Sequence, residues 1–138
     1  SNDIKGSIRL LEGITKTKIL GFRSPQFSKN KYLFDVLQNN DIVYDSSIHP
    51  AFLPGKYIDF KSPLYPHVLR KGNKYILGVP CSVIPILRLP ISWWWMRNIG
   101  LWLTVFGTEG NLKRGNNVVL YFHPWEFTKI KDKTVQDI

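Results

Sequence analysis

The sequence predicts an α/β fold built on a parallel sheet, and three observations carry that prediction. Strand-like and helix-periodic segments alternate through the first half of the chain, the order that a βαβ unit requires. The first two strand starts lie about 20 residues apart, which leaves room for one crossover helix. The strand-like runs are short, unbroken and apolar, as in Val118–Tyr121, which suits strands covered on both faces.

Taken in order, residues 3–17 place Ile4, Ile8, Leu11 and Ile14 on one helical face, with Asp3 able to cap the start. Lys18–Phe22 reads as the first strand, stopped by Arg23-Ser24-Pro25. Ser28 is the expected N-cap of a helix over Lys29–Asn39, with Tyr32/Leu33, Val36 and Leu37 in its buried stripe. Asp41–Tyr44 is a second strand, with Asp45-Ser46-Ser47 just past its end. Residues 48–73 hold Pro50, Pro54, Pro63 and Pro66 and read as a long surface loop carrying at most a short hairpin. Tyr75–Val83 is a third strand. After Pro90, the series Ile91, Trp95, Ile99, Trp102 and Phe106 predicts one amphipathic helix. Lys113–Asn117 turns the chain into a final strand over Val118–Tyr121, and the tail after Phe127 is polar.

The length of 138 residues fits one domain, and 43% hydrophobic against 21% charged residues is a globular rather than a disordered composition. Arg88, Arg97, Pro85 and Pro90 interrupt the apolar window 84–107 and argue against a transmembrane helix. Interfacial membrane docking through Trp93 and Trp94 is a lesser reading. A net charge of +9 would attract polyanions, but the basic residues are dispersed, so solubility explains them better than nucleic-acid binding and no nucleic-acid partner is expected. A single cysteine, Cys81, excludes an intrachain disulfide and a multi-cysteine zinc site. His49 and His67 lie in the expected loop without a carboxylate at ligand spacing, so they read as solvated residues. The start lacks the charged-then-apolar layout of a signal peptide, which leans the expected location towards the cytoplasm.

His123 attracts the functional reading because it follows a predicted strand, and imidazole titrates near neutral pH. The plainer reading is a histidine satisfied by a backbone carbonyl at a strand end.

Three stretches together resemble the polysaccharide deacetylases, the NodB-homology group also known as carbohydrate esterase family 4. Gly21-Phe22-Arg23-Ser24-Pro25-Gln26-Phe27-Ser28 is similar to that family's G-[FY]-R-[AS]-P-x-F-S motif, and Tyr44-Asp45-Ser46-Ser47 to its YDSS stretch. Phe122-His123-Pro124-Trp125-Glu126 looks like the LHPWE ending of one branch, with Tyr121 where many relatives carry Leu, a difference read as harmless. The resemblance covers roughly residues 3–130, and only the second half of the family's catalytic domain. It implies a parallel-stranded half barrel related to the family's distorted (β/α)7 barrel. It also implies a metal-dependent N-deacetylase acting on N-acetylated sugar polymers or oligosaccharides. In that reading His123 is the acid that protonates the leaving amine, Asp45 favours its imidazolium, and Arg23 orients a general-base Asp. Pro25, Phe27 and Trp125 shape the sugar groove.

The family's Thr-Phe-Asp-Asp and His-x-x-x-His motifs, which supply the base and the zinc ligands, have no counterpart here. The chain is therefore expected to be a fragment of a longer enzyme, favoured by a remnant-like Ser1-Asn2 start, or a degenerate relative. By itself it is expected neither to bind zinc tightly nor to deacetylate. The alternative from another class is a non-catalytic carbohydrate-binding or interaction module on the same fold. A half barrel would leave two open strand edges and apolar faces around Ile19, Ile42, Val79 and Val119, so self-association is expected.

Overall fold

The computed structural model describes residues 2–28, 30–53 and 57–127. A helix α1, Asn2–Thr15, opens the chain, and β1 (Gly21–Phe22), α2 (Leu33–Gln38) and β2 (Tyr44–Asp45) follow in the expected order. Two hairpins come next, β3 (Phe52–Leu53) with β4 (Tyr57–Ile58), then β5 (His67–Lys71) with β6 (Lys74–Gly78). Helices α3 (Trp93–Asn98) and α4 (Leu101–Leu112) complete the regular structure.

The main sheet has the order β1-β2-β6-β5. Gly21 pairs with Tyr44 and Tyr44 with Leu77 in parallel, while β5 closes the other edge antiparallel to β6. The molecule is thus a mixed α/β structure whose parallel part is three short strands, and among the described residues the sheet stays open. The Tyr44 ring lies across Gly21, at the place a side chain would take.

One core packs Leu37, Ile42 and Ile76, with Ile8 of α1, Ile19, Phe22, Leu33 and Phe34 around them. The α1 stripe is shorter than the spacing suggests, because Leu11 and Ile14 face solvent. Ile42 is buried rather than left open by a missing neighbour, and the exposed apolar residues at this sheet include Leu20, Val43, Tyr44, Val68, Tyr75 and Leu77. A second core joins Ile84, Ile91 and Leu103, flanked by Leu89 and Trp95.

Four expectations need correction. The second helix starts at Leu33, and Ser28 instead closes the 3-10 turn Pro25–Phe27 by donating its N–H to the Pro25 carbonyl. The expected loop 48–73 contains the short hairpin β3–β4 that the sequence allowed and, beyond it, the strand β5, which His67 opens. Arg88 staples this region: its Nη1 donates to the carbonyls of Asp59 (3.2 Å) and Ser62 (2.9 Å), with Pro50 at 3.5 Å.

The helix after Pro90 is broken in two at Gly100, whose φ of 120° and ψ of 159° suit only glycine. The break rotates the expected stripe. Ile91 is buried and Trp95 half-buried, whereas Ile99, Trp102 and Phe106 are exposed. Finally, Val118–Tyr121 forms no ladder. The chain leaves the sheet after Gly78, and Pro80 lacks the N–H a neighbouring strand would need. A single residue holds the run instead: Ser82 N–H donates to the Val119 carbonyl (2.9 Å), and Val119 N–H donates to Ser82 Oγ (2.9 Å).

Candidate functional site

Three segments meet beside the C-terminal ends of β1 and β2. Arg23 leaves β1 and donates from Nε to the Ser46 carbonyl (3.2 Å) and from Nη2 to Ser46 Oγ (2.7 Å). Ser24 N–H donates to Ser47 Oγ (2.8 Å), so the two strand ends are tied through serines. Asp45 is buried, and its Oδ1 accepts both the Ser47 N–H (2.9 Å) and the Ser47 hydroxyl. That carboxylate organises the turn after β2 rather than a histidine.

The carboxylate on His123 comes from Glu126. Pro124 begins a 3-10 turn over Pro124–Phe127, its missing N–H costing nothing at a helix start. The turn brings Glu126 back onto His123: Oε2 accepts the His123 backbone N–H (2.8 Å) and Oε1 lies 3.0 Å from Nδ1. This is one half of a capping box, the acidic side chain reaching back to the backbone N–H of the residue before the turn. A carboxylate only accepts, so Nδ1 carries the proton and the neutral ring offers Nε2 as an acceptor. The Tyr121 hydroxyl fills that position at 2.6 Å.

Tyr121 is therefore part of the site and not a neutral exchange for Leu. The Arg23 guanidinium lies 5.4 Å from its ring centroid, a cation–π distance. Phe27 packs against Tyr121 edge-on at 5.1 Å and against His49 at 4.6 Å. Gln26 and Phe27 both hold positive φ, at 53° and 54°. Two such residues in succession store strain of the kind that gathers at binding sites, and here they turn the Phe27 ring inward. Pro25 starts that turn and faces solvent. The Trp125 side chain lies outside the described residues.

These groups line a cleft of about 470 Å³ whose other wall is Pro90, Ser92, Trp93, Trp94 and Trp95. Of the expected site residues, His123 and Phe27 line the cleft and Arg23 reaches it through the Tyr121 ring. Asp45 borders a different pocket, of about 210 Å³, on the α2 side of the sheet. Glu126, Tyr121, His49 and the tryptophans were missed. The signal for Glu126 was present in its spacing, three residues after His123 with proline between.

Zinc, implied by the resemblance, does not fit these residues. No group of three His, Cys, Asp or Glu side chains among the described residues could hold a metal ion. The nitrogens of His123 already face Tyr121 and Glu126.

Behind Arg23, Cys81 is buried. Burial pushes its thiol up, and the nearby Arg23 charge and a hydrogen bond with Ser46 only partly offset that. A thiol whose folded pKa is raised stabilises the fold below its unfolded pKa and loses that contribution as pH climbs towards the folded value. Native Cys81 is thus expected to react with a thiol reagent far more slowly than in denaturant, and stability to decline above about pH 8.5. A native rate equal to the denatured one would show the thiol is accessible after all.

A family model described as a domain of unknown function, DUF3473, matches residues 46–137. No curated protein and no solved structure matches the chain. The model match takes in Ser46 and Ser47 of the turn after β2, both hairpins, α3, α4 and the His123–Glu126 turn, and leaves β1, Arg23 and β2 with Asp45 outside it.

Proposed function

The chain belongs to the DUF3473 family, and from that premise we propose that it is the carbohydrate-facing part of a polysaccharide N-deacetylase-like hydrolase. The observation that carries the reading is the linked series Glu126, His123 and Tyr121 set in an aromatic cleft. The family's usual association with polysaccharide deacetylase-like proteins supports it, as do the three sequence stretches that resemble those enzymes.

Hydrolysis of an N-acetyl group needs a proton on the departing amine. In this reading Glu126 orients His123, and when the ring carries both protons its Nε2–H faces the Tyr121 oxygen. The amine takes the Tyr121 hydroxyl proton while Tyr121 takes the Nε2 proton, so the net donor is His123. Arg23, stacked on Tyr121, sits where a second half of the domain would place a carboxylate, which it would orient. The Trp93, Trp94 and Phe27 rings offer faces for the apolar sides of sugar rings.

A second reading, a non-catalytic carbohydrate-binding module on the same fold, rests on the same aromatic cleft without the proton transfer. Titrating the chain with N-acetylglucosamine oligomers while following tryptophan fluorescence tests what both share. Saturable binding weakened about tenfold or more by Trp94→Ala is expected. Fluorescence that does not respond to millimolar oligomer would overturn the carbohydrate assignment. Acetate release separates the readings once the chain is joined to a metal-binding half.

A further inference from the structure

Helix α4 is packed the opposite way round from an ordinary surface helix. The residues it turns inward are Leu103, Gly107 and Asn111, the last two small or polar, and all three are buried. Its outward face carries Leu101, Trp102, Val105, Phe106 and Leu112, and the first two are each 62% exposed. Positions 101, 102, 105, 106, 109 and 112 recur at helical spacing, so these side chains form one continuous strip. The inward face cannot be exchanged for the outward one. A Cβ on Gly107 would stand 2.9 Å from Ile91 and 3.0 Å from Ile84, while Asn111 Nδ2 donates to the Val83 carbonyl at 2.8 Å. The helix is locked with its large apolar residues out.

Charge indicates what covers them. In the chain, the strip is flanked by Arg97 at the end of α3, which lies over the Trp93 ring at 5.0 Å, and by Lys113 and Arg114 past the end of α4, the latter donating to the Gly110 carbonyl at 2.9 Å. The acid on the strip, Glu109, lies 3.7 Å from Lys113 and is offset by it. Two copies meeting here would each bring a net charge of +9, which opposes a homodimer at ordinary salt. An apolar face with tryptophan in it and cations at its ends is the composition of a helix that lies in a membrane interface. No helix among the described residues is long and apolar enough to cross a membrane, so the contact is with its surface.

We propose that the outer face of α4 docks on an anionic lipid bilayer, with Leu101, Trp102 and Phe106 in the headgroup–acyl boundary and Arg97, Lys113 and Arg114 among the lipid phosphates. This surface is separate from the cleft and does not depend on what the cleft binds.

Co-sedimentation of the chain with phosphatidylcholine vesicles, with and without phosphatidylserine, tests it, together with tryptophan emission. Binding to the phosphatidylserine vesicles with a blue-shifted emission is expected. The double substitution Leu101→Ser and Phe106→Ser, at exposed positions that leave both cores intact, should weaken it about tenfold or more. Lys113→Glu with Arg114→Glu should weaken binding and keep the blue shift of whatever remains bound. Failure to bind phosphatidylserine vesicles at low salt overturns the proposal. So does binding that the serine variants leave unchanged, or that added salt removes without any emission shift having occurred. A dimer seen by light scattering without lipid, and dissolved by the same serine variants, would assign the face to a second copy instead.

Discussion

His123→Ala is expected to lower deacetylation by about 10²–10⁴-fold, the usual worth of a positioned acid. The assay requires this chain joined to a half carrying the Thr-Phe-Asp-Asp and His-x-x-x-His motifs. Bound zinc should be unchanged, since His123 is committed to Tyr121 and Glu126. Tyr121→Phe is the sharper variant. If the proton reaches the amine through the Tyr121 hydroxyl, the phenylalanine enzyme should fall most of the way to the alanine one. If His123 delivers it directly, removing the hydroxyl frees Nε2 and activity should hold or rise. Full activity in His123→Ala would remove this residue from the chemistry altogether.

Asn111→Ala should cost about 2–4 kcal/mol of stability by denaturant unfolding, the largest effect expected of a single polar substitution in this molecule. Asn111 is fully buried, and its Nδ2 ties α4 to the Val83 carbonyl (2.8 Å) and to Gly107 one turn back (2.8 Å). Its Oδ1 accepts from Asn116 Nδ2 at 3.3 Å. Alanine leaves the Val83 carbonyl without that donor inside the packed structure and opens a void between α4 and the adjoining chain. Because Val83 is next to Ser82, which holds Val119, the segment carrying Tyr121 and His123 should loosen as well. A loss below about 1 kcal/mol would mean that water enters and takes over the bonds.

The elements legible in the sequence are those whose own residues decide them. The Ile4 and Ile8 spacing gave α1, and strand–helix–strand order gave the parallel pairing of β1 and β2. What misled was apolar content read without its surroundings. Val118–Tyr121 has the composition of a buried strand, yet a strand exists only beside a partner, and Pro80 and the turn around Val83–Pro90 take that partner away. The Ile91-to-Phe106 period was real but continuous only if Gly100 stayed helical, and its left-handed φ cuts the pattern in two. In the site, His123 stood out by residue type, whereas its carboxylate was sought at the next strand end. Asp45 was plausible by topology, but Ser47 lies two residues away and binds it first. Local hydrogen bonding settled both carboxylates.

The antiparallel edge of the sheet has a consequence for the order in which the molecule assembles. Hairpin β5–β6 turns tightly at Gly72, with φ of 59°, and every pair from Lys71–Lys74 out to His67–Gly78 is close in sequence. Such a unit closes in about 1–10 μs. The parallel pairs Gly21–Tyr44 and Tyr44–Leu77 each enclose a long stretch of chain, so their entropy is lost before any bond forms. The hairpin is thus the template on which β2 and then β1 settle, and the strand ends bearing Asp45 and Arg23 come to rest last. Damage to β6 would slow refolding, while damage to β1 would show as faster unfolding with the refolding rate nearly untouched.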